Sequence, residues 1–331
     1  DHERVWYRYH QLFADSLLTE LSKAEASELY KKASAWHEDN GMIFEAVTYA
    51  LDSADPEFMA DMIDAALRQE IIWSSGNLVL YSSWLEKLPA QVFAKRPRLS
   101  LNAAFVWYLS GRFDEALQLI ELAEADLAAQ PASAEVEKLL ALAALYRGSI
   151  AAVHGDVERA IELITFSQSR LSRTDHMAQA RAHFGLGLAN ELSGQSDDAA
   201  KNFLRASDKA QSAGVLHLAV HARCSAAQVL IDQGRLHLAE QACRTAIDMA
   251  DGQRFPPLGV ALSILGGIAL ERNDLTAAEQ YLHEGLALSR QGMLLDHVIA
   301  GMAFYVHLTA CQGNTAEFLK AFDEVNAIIE G

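Results

Sequence analysis

The residues best equipped for chemistry recur at matched positions about 40 residues apart in the chain. Arg181, Phe184 and Glu191 stand thirteen, ten and three residues before Gly194, while His221, Gln228 and Asp232 stand thirteen, six and two before Gly234. Tyr108, three before Gly111, and His307, six before Gly313, extend the register, as do Arg98, Phe105 and Glu271. A guanidinium pairs with an anionic group, carboxylates accept from hydroxyls, and a phenyl ring covers an apolar face. Such a set suits holding a small polar molecule.

Signatures of bond-making chemistry are missing from the sequence. His217 and His221 have the i, i+4 spacing that can present two imidazoles to a metal, but no Glu completes a His-Glu-x-x-His arrangement and Val220 lies between them. Together with His237 they read as solvated or hydrogen-bonded histidines. There is no Gly-x-Ser-x-Gly elbow, no Cys-His pair and no Gly-x-x-x-x-Gly-Lys-Ser/Thr phosphate loop. The expectation is a chain that is not an enzyme, with no cofactor and no metal of its own.

Composition narrows the partners. A formal charge of -17 over 331 residues disfavours direct contact with nucleic acid, which needs concentrated Lys and Arg. Cys224, Cys243 and Cys311 have no metal-ligand spacing and cannot all pair, so buried thiols in a reducing compartment are expected. No apolar run reaches membrane-spanning length, the stretch from Leu139 being cut by Arg147. No signal peptide is evident, and the start at Asp1 reads as part of a longer protein.

The elements that must position the polar set are repeated. Gly111 to Ala116, Gly155 to Ala160, Gly194 to Ala199 and Gly234 to Ala239 share a Gly, four residues, Ala pattern, and Asn273 to Ala278 repeats it with Asn in place of Gly. A degenerate copy begins at Gly313. Seven residues beyond each Ala stands Ala123, Ser167, Ala206, Ala246 or Gly285, and seven before each turn stands Ala104, Gly148, Gly187, Ala227 or Gly266. Gly or Asn takes the left-handed turn where a first helix ends, and the small residues mark where its partner presses close. A period of this size predicts stacked antiparallel hairpins, an all-α, tetratricopeptide-like right-handed superhelix whose first helices line the inner wall.

Earlier residues are less regular. Residues 4–9 could form a short strand, Asp15 onward reads as helical, and Lys23 to Glu38 is amphipathic with Leu29, Ala33 and Trp36 at helical spacing. Turns are expected at Asn40-Gly41 and Gly76. Pro89 and Pro97 bracket a break between helices, and Trp84 and Leu88 share a core face. Arg170 to Arg173 with Asp175 reads as a helix end and its loop.

Two tracts carry a family resemblance. Trp6 to Phe13 resembles the aromatic-basic tract near the end of the winged-helix region in MalT-like, ATP-dependent regulators of the LuxR type. Trp84-Leu-Glu-Lys-Leu-Pro89 with Arg96-Pro-Arg-Leu99 is similar to the tract that opens the family's helical sensor region, and Ala35-Trp36 and Glu45 to Leu51 resemble its linking helices. The resemblance implies residues 1–38 as the end of a winged-helix region with a linking helix, 39–98 as irregular hairpins, and 99–331 as the superhelical sensor.

It also implies a function: the ligand-sensing and oligomerising region of a bacterial, cytoplasmic transcription activator, binding a small inducer on its inner wall. ATP would belong only to an NTPase domain outside this chain, as DNA would to a helix-turn-helix domain. Partners would be those domains and, through self-association or docking, further protein. The alternative is a general protein-docking scaffold with an extended peptide in the same concavity.

Overall fold

The computed structural model describes residues 21–68, 78–291 and 295–330, and every element among them is helical. The strand expected at residues 4–9, the winged-helix remnant, the helix from Asp15 and the turn at Gly76 lie outside the described residues. Contacts divide the chain into two units, Asp1–Ile72 with Asn77–Asp126, and Trp73–Gly76 with Leu127–Gly331.

In the first unit, α1 (Lys23–Asp39) opens with a capping box in which the Ser22 hydroxyl accepts from the Glu25 amide and Glu25 accepts in return from the Ser22 amide. It turns at Gly41 into α2 (Ile43–Asp52). The face that α1 turns to α2 differs from the expected one, since Leu29 and Trp36 are 50% and 47% exposed. Ser34 donates instead to the Ala46 carbonyl and Ser27 to the Ser53 carbonyl, both at 2.7 Å, while His37 stacks on Tyr49. Small hydroxyl side chains let the backbones approach, and each hydroxyl finds its acceptor there.

α3 (Pro56–Arg68) is capped by Asp55, whose carboxylate accepts from the Glu57 and Phe58 amides. α4 (Leu78–Leu85) buries Trp84 and Tyr81 edge to face, with Phe44 beside both rings; Leu88 is also buried. Between Pro89 and Pro97 the break holds a single turn, α5 (Ala90–Phe93), before α6 (Pro97–Leu109) begins with Pro97 in its first turn. Arg96 reaches back from this break to Glu57 and Asp61 on α3. α7 (Phe113–Ala128) follows the turn at Gly111.

The second unit is a stack of hairpins: α8 (Ala134–Val153) with α9 (Val157–Arg170), α10 (His176–Leu192) with α11 (Ser196–Ser212), α12 (Leu216–Asp232) with α13 (Leu236–Ala250), α14 (Pro257–Glu271) with α15 (Leu275–Gln291), and α16 (Leu295–Cys311) with α17 (Thr315–Glu330). Each hairpin turn has one backbone solution. Gly194 takes φ +74°, its amide bonds to the Glu191 carbonyl, and the Gln195 amide bonds back to the Asn190 carbonyl at 2.8 Å. Asn273 reproduces this at φ +58° with Asp274 bonded to Ala269, which is why Asn substitutes for Gly in the repeat.

The small residues form the contact line. Ala160, Ala199, Ala239 and Ala278 have no exposed surface, and a Cβ added to Gly148, Gly187 or Gly266 would lie 2.6–2.7 Å from Ile164, Phe203 or Leu282 of the partner helix. The run Arg170 to Asp175 is a helix end and loop as expected, with Asp175 capping α10 through the Ala178 amide. Cys224 and Cys243 are buried and unpaired, whereas Cys311 is exposed near the end of α16, where the expected burial fails. Burial pushes the Cys224 thiol up to about 12 and Cys243 upward as well.

Candidate functional site

α10 and α12 are successive first helices, and they bring six of the eight expected residues onto one polar and aromatic surface. Near its start, Arg181 donates through Nη1 to the Tyr146 hydroxyl of α8 at 2.8 Å. Next along α10, the Phe184 ring stands 5.1 Å from His221 of α12, with its other flank 5.3 Å from Phe203. At the far end Gln228 donates to Asp232 at 3.0 Å. Burial, reinforced by the nearby Asp232 charge, pushes the Glu191 carboxyl above the usual glutamate range. The wall thus runs from a cation through rings to carboxylates.

Tyr146, the buried partner of Arg181, is a residue that repeat register does not select. Its position, nine before Gly155, is filled by Gly185, Ser225, Ile264 and Phe304 in the other hairpins of this unit, so no residue type marks the site. Its signal was a tyrosine in a first helix whose hydroxyl requires a partner.

Two expected members stand elsewhere. Tyr108 is on α6 in the other unit, half-buried, stacked on Phe105 at 6.0 Å and 6.1 Å from Phe113, and burial pushes its phenol up to about 12. His307 is exposed on α16, and α14 intervenes in the stack between it and α12.

The wall closes at α14. Every residue from Pro257 to Leu270 is buried, so this first helix presents no polar face. Its glycines admit neighbours at van der Waals limits, and a Cβ at Gly267 would lie 2.6 Å from the Phe304 ring of α16. Phe304 therefore covers the position equivalent to Gln228. A run of fourteen residues without one charge is the sequence mark of a helix buried all round.

His217 and His221 do not face a common centre. The His217 ring lies 5.3 Å from Phe255, and burial pushes its imidazole below the ordinary histidine range, while His221 meets Phe184. Among the described residues no group of three or more His, Cys, Asp or Glu is placed to hold a metal. An open cavity of about 320 Å³ is lined by His183, Arg205, Asp208 and Lys209, and none of the wall residues borders it. His183 there ties α9 to α11 through Gln168 and Asn202, a structural task. The convergent wall is the better site, because its polar groups come from successive repeats and leave an aromatic ring between them.

Fold and wall together define a helical-repeat scaffold of tetratricopeptide type. The family model for the MalT-like TPR region matches residues 141–330, over half of the chain, and the chain belongs to that family. It is 26% identical over 325 residues to the serine/threonine-protein kinase PknK of Mycobacterium tuberculosis, covering 93% of this chain and 28% of that protein. To the HTH-type transcriptional regulator MalT of Vibrio parahaemolyticus it is 23% identical over 303 residues, covering 86% and 32%. The chain spans about a third or less of the length of these relatives.

Among solved structures, a signal transduction ATPase with numerous domains and a tetratricopeptide repeat sensor from Pyrococcus horikoshii matches with a TM-score of 0.68 at 14% identity, covering 96% of this chain and 48% of that one. A Rap protein complexed with Competence and Sporulation Factor matches with a TM-score of 0.61 at 12% identity, covering 92% and 86%. At these identities the likeness is one of fold. Among the described residues no helix is long and apolar enough to cross a membrane.

Proposed function

We propose that this chain is the ligand-sensing and oligomerising region of a bacterial, cytoplasmic MalT-like transcriptional activator, and that a small polar inducer binds across α10 and α12. The observation that supports it is the convergence of Arg181, Phe184, Glu191, His221, Gln228 and Asp232 from two successive repeats. Arg181 takes an anionic group, Phe184 covers an apolar face, and Gln228 with Asp232 orients hydroxyls. The chain itself performs no catalysis and takes no cofactor, metal or nucleic acid. ATP and DNA belong to NTPase and helix-turn-helix domains elsewhere in the parent protein.

A ligand touching both α10 and α12 favours one relative setting of the two hairpins over others. Occupancy can thereby bias the attached domains between resting and assembling states, because a ligand shifts an equilibrium only by its differential affinity for the two states. A thermal-shift screen of polar metabolites tests the reading: a hit should raise the melting temperature of this chain, and peptides alone raising it would favour a docking scaffold. That second reading draws on the Rap neighbour, whose structure holds Competence and Sporulation Factor.

A further inference from the structure

Eleven residues before the turn, the first helices from α6 onward share a position that is small or apolar in four hairpins: Ser100, Ala144, Leu262 and Met302, all at most 8% exposed. The two middle hairpins put His183 and Arg223 there instead. An ionisable side chain at a core register position is costly unless it finds partners, and both of these reach one helix, α11. His183 donates through Nδ1 to the Asn202 side-chain oxygen at 3.0 Å, and its Nε2 accepts from Gln168 of α9 at 3.1 Å. Arg223 donates to the Ser207 hydroxyl at 3.0 Å and to Asp208 at 2.7 Å.

Arg205, Asp208 and Lys209 of α11 line the open cavity of about 320 Å³ together with His183. Positive charge is thus concentrated there in a chain of formal charge -17. The charge of Asp208 is already met by Arg223. Arg205 and Lys209, one helical turn apart, carry no ion pair among the described residues, whereas Lys201, one turn before Arg205, is tied to Asp198 at 3.0 Å. His183 registers the imbalance: burial first, and then the charges of Arg205 and Lys209, hold its imidazole below the ordinary histidine range against the Asn202 bond, which raises it.

We propose that this cavity binds a phosphate-type dianion, free or as the end group of a small ester, at a site separate from the wall on α10 and α12. Two cations without ion pairs, on successive turns of one helix and lining one cavity, match two negative charges, and the Arg205 guanidinium offers a planar fork that fits a pair of phosphate oxygens. A single carboxylate would leave one of the cations unmet. Arg223 is a positioning residue, because it neutralises the Asp208 carboxylate that would otherwise repel the anion. The volume lies at the low end of the range for ligand pockets, about 300–1,000 Å³, which suits a phosphate with a few carbons attached.

Histidine-ring NMR of the whole 331-residue chain, titrated with inorganic phosphate and with glycerol phosphate at constant pH and ionic strength, tests this. The assigned His183 ring signals should move saturably, and tighter binding of the ester than of the free ion would assign the site to esters. Arg205→Gln and Lys209→Gln should each weaken the binding about tenfold, as expected when one charge-assisted hydrogen bond is lost. Neither side chain has an ion pair to lose among the described residues, so both variants should melt as wild type does. Arg223→Gln, which frees Asp208, should weaken binding as well. Arg254→Gln removes an equal charge from the loop before α14, where Arg254 pairs with Glu284, and should leave the affinity within about twofold. His183 signals that never saturate, or an equal loss in Arg254→Gln, would show only diffuse attraction of the ion and overturn the proposal.

Discussion

Gly187 of α10 lies against the Phe203 ring of α11 so closely that an added Cβ would stand 2.6 Å from the ring edge. The contact line is therefore a steric requirement. Gly187→Ala should cost about 1–3 kcal/mol through overpacking, read as a lower urea midpoint. Gly194→Ala meets nothing within 4 Å and is strained only by its φ of +74°, so it should cost about 1 kcal/mol. A smaller loss at Gly187 than at Gly194 would contradict the packing account.

The alanines facing that line should be equally intolerant of size. Ala160 and Ala199 have no exposed surface, and Ala160→Leu or Ala199→Leu should each destabilise by about 1–3 kcal/mol. Unchanged unfolding in both variants would mean that the repeat register is wrong.

These positions were legible in the sequence because the physics leaves them few residue types: a left-handed turn takes Gly or Asn, and a close helix crossing takes Gly, Ala or Ser. The wall was partly legible, since successive first helices are neighbours, as the contact of Phe184 with His221, three register positions apart, shows. Tyr146 was not, because its register position holds Gly, Ser, Ile or Phe in the other hairpins, so no residue type marks it. The α1 face was misread because hydroxyls bonded to carbonyls, as at Ser27 and Ser34, replace the apolar residues that periodicity looks for. The closure of the wall at α14 followed from its uncharged run, a sign outside the repeat alignment.

Glu240 ties α13 to the turn after α14. Arg272 and Arg244 both bond to it and hold its carboxyl well below the usual range, at about 2. Its folded-state value is depressed, so its stabilisation is present above the ordinary value of 4.5 and is lost as pH falls towards 2. Glu240→Gln should cost roughly 1 kcal/mol at neutral pH, given how exposed both arginines are. Denaturant melts across pH should show the difference from wild type closing below pH 4.5; a difference constant with pH would exclude the ion pairs.

Glu191 should show the opposite slope. Its carboxyl is raised by burial and by Asp232, so its contribution is most favourable below the ordinary value of 4.5 and is lost as pH rises through the raised value. Glu191→Gln should match wild type in acid and become the more stable protein as pH rises. Thermal melts at several pH values check this, and a Gln variant less stable at neutral pH would show that the carboxylate is held by a compensating partner.

The account's central claim is that one small ligand touches α10 and α12 together. The direct measurement is isothermal titration of a screened metabolite into wild type, Arg181→Ala and Gln228→Ala, each variant first shown to melt cooperatively. The account predicts a loss of about tenfold or more in affinity in at least one variant, as expected when a charged or well-placed hydrogen bond of about 1.4 kcal/mol is removed. Equal affinity in all three proteins would place the ligand elsewhere and contradict the wall as the site.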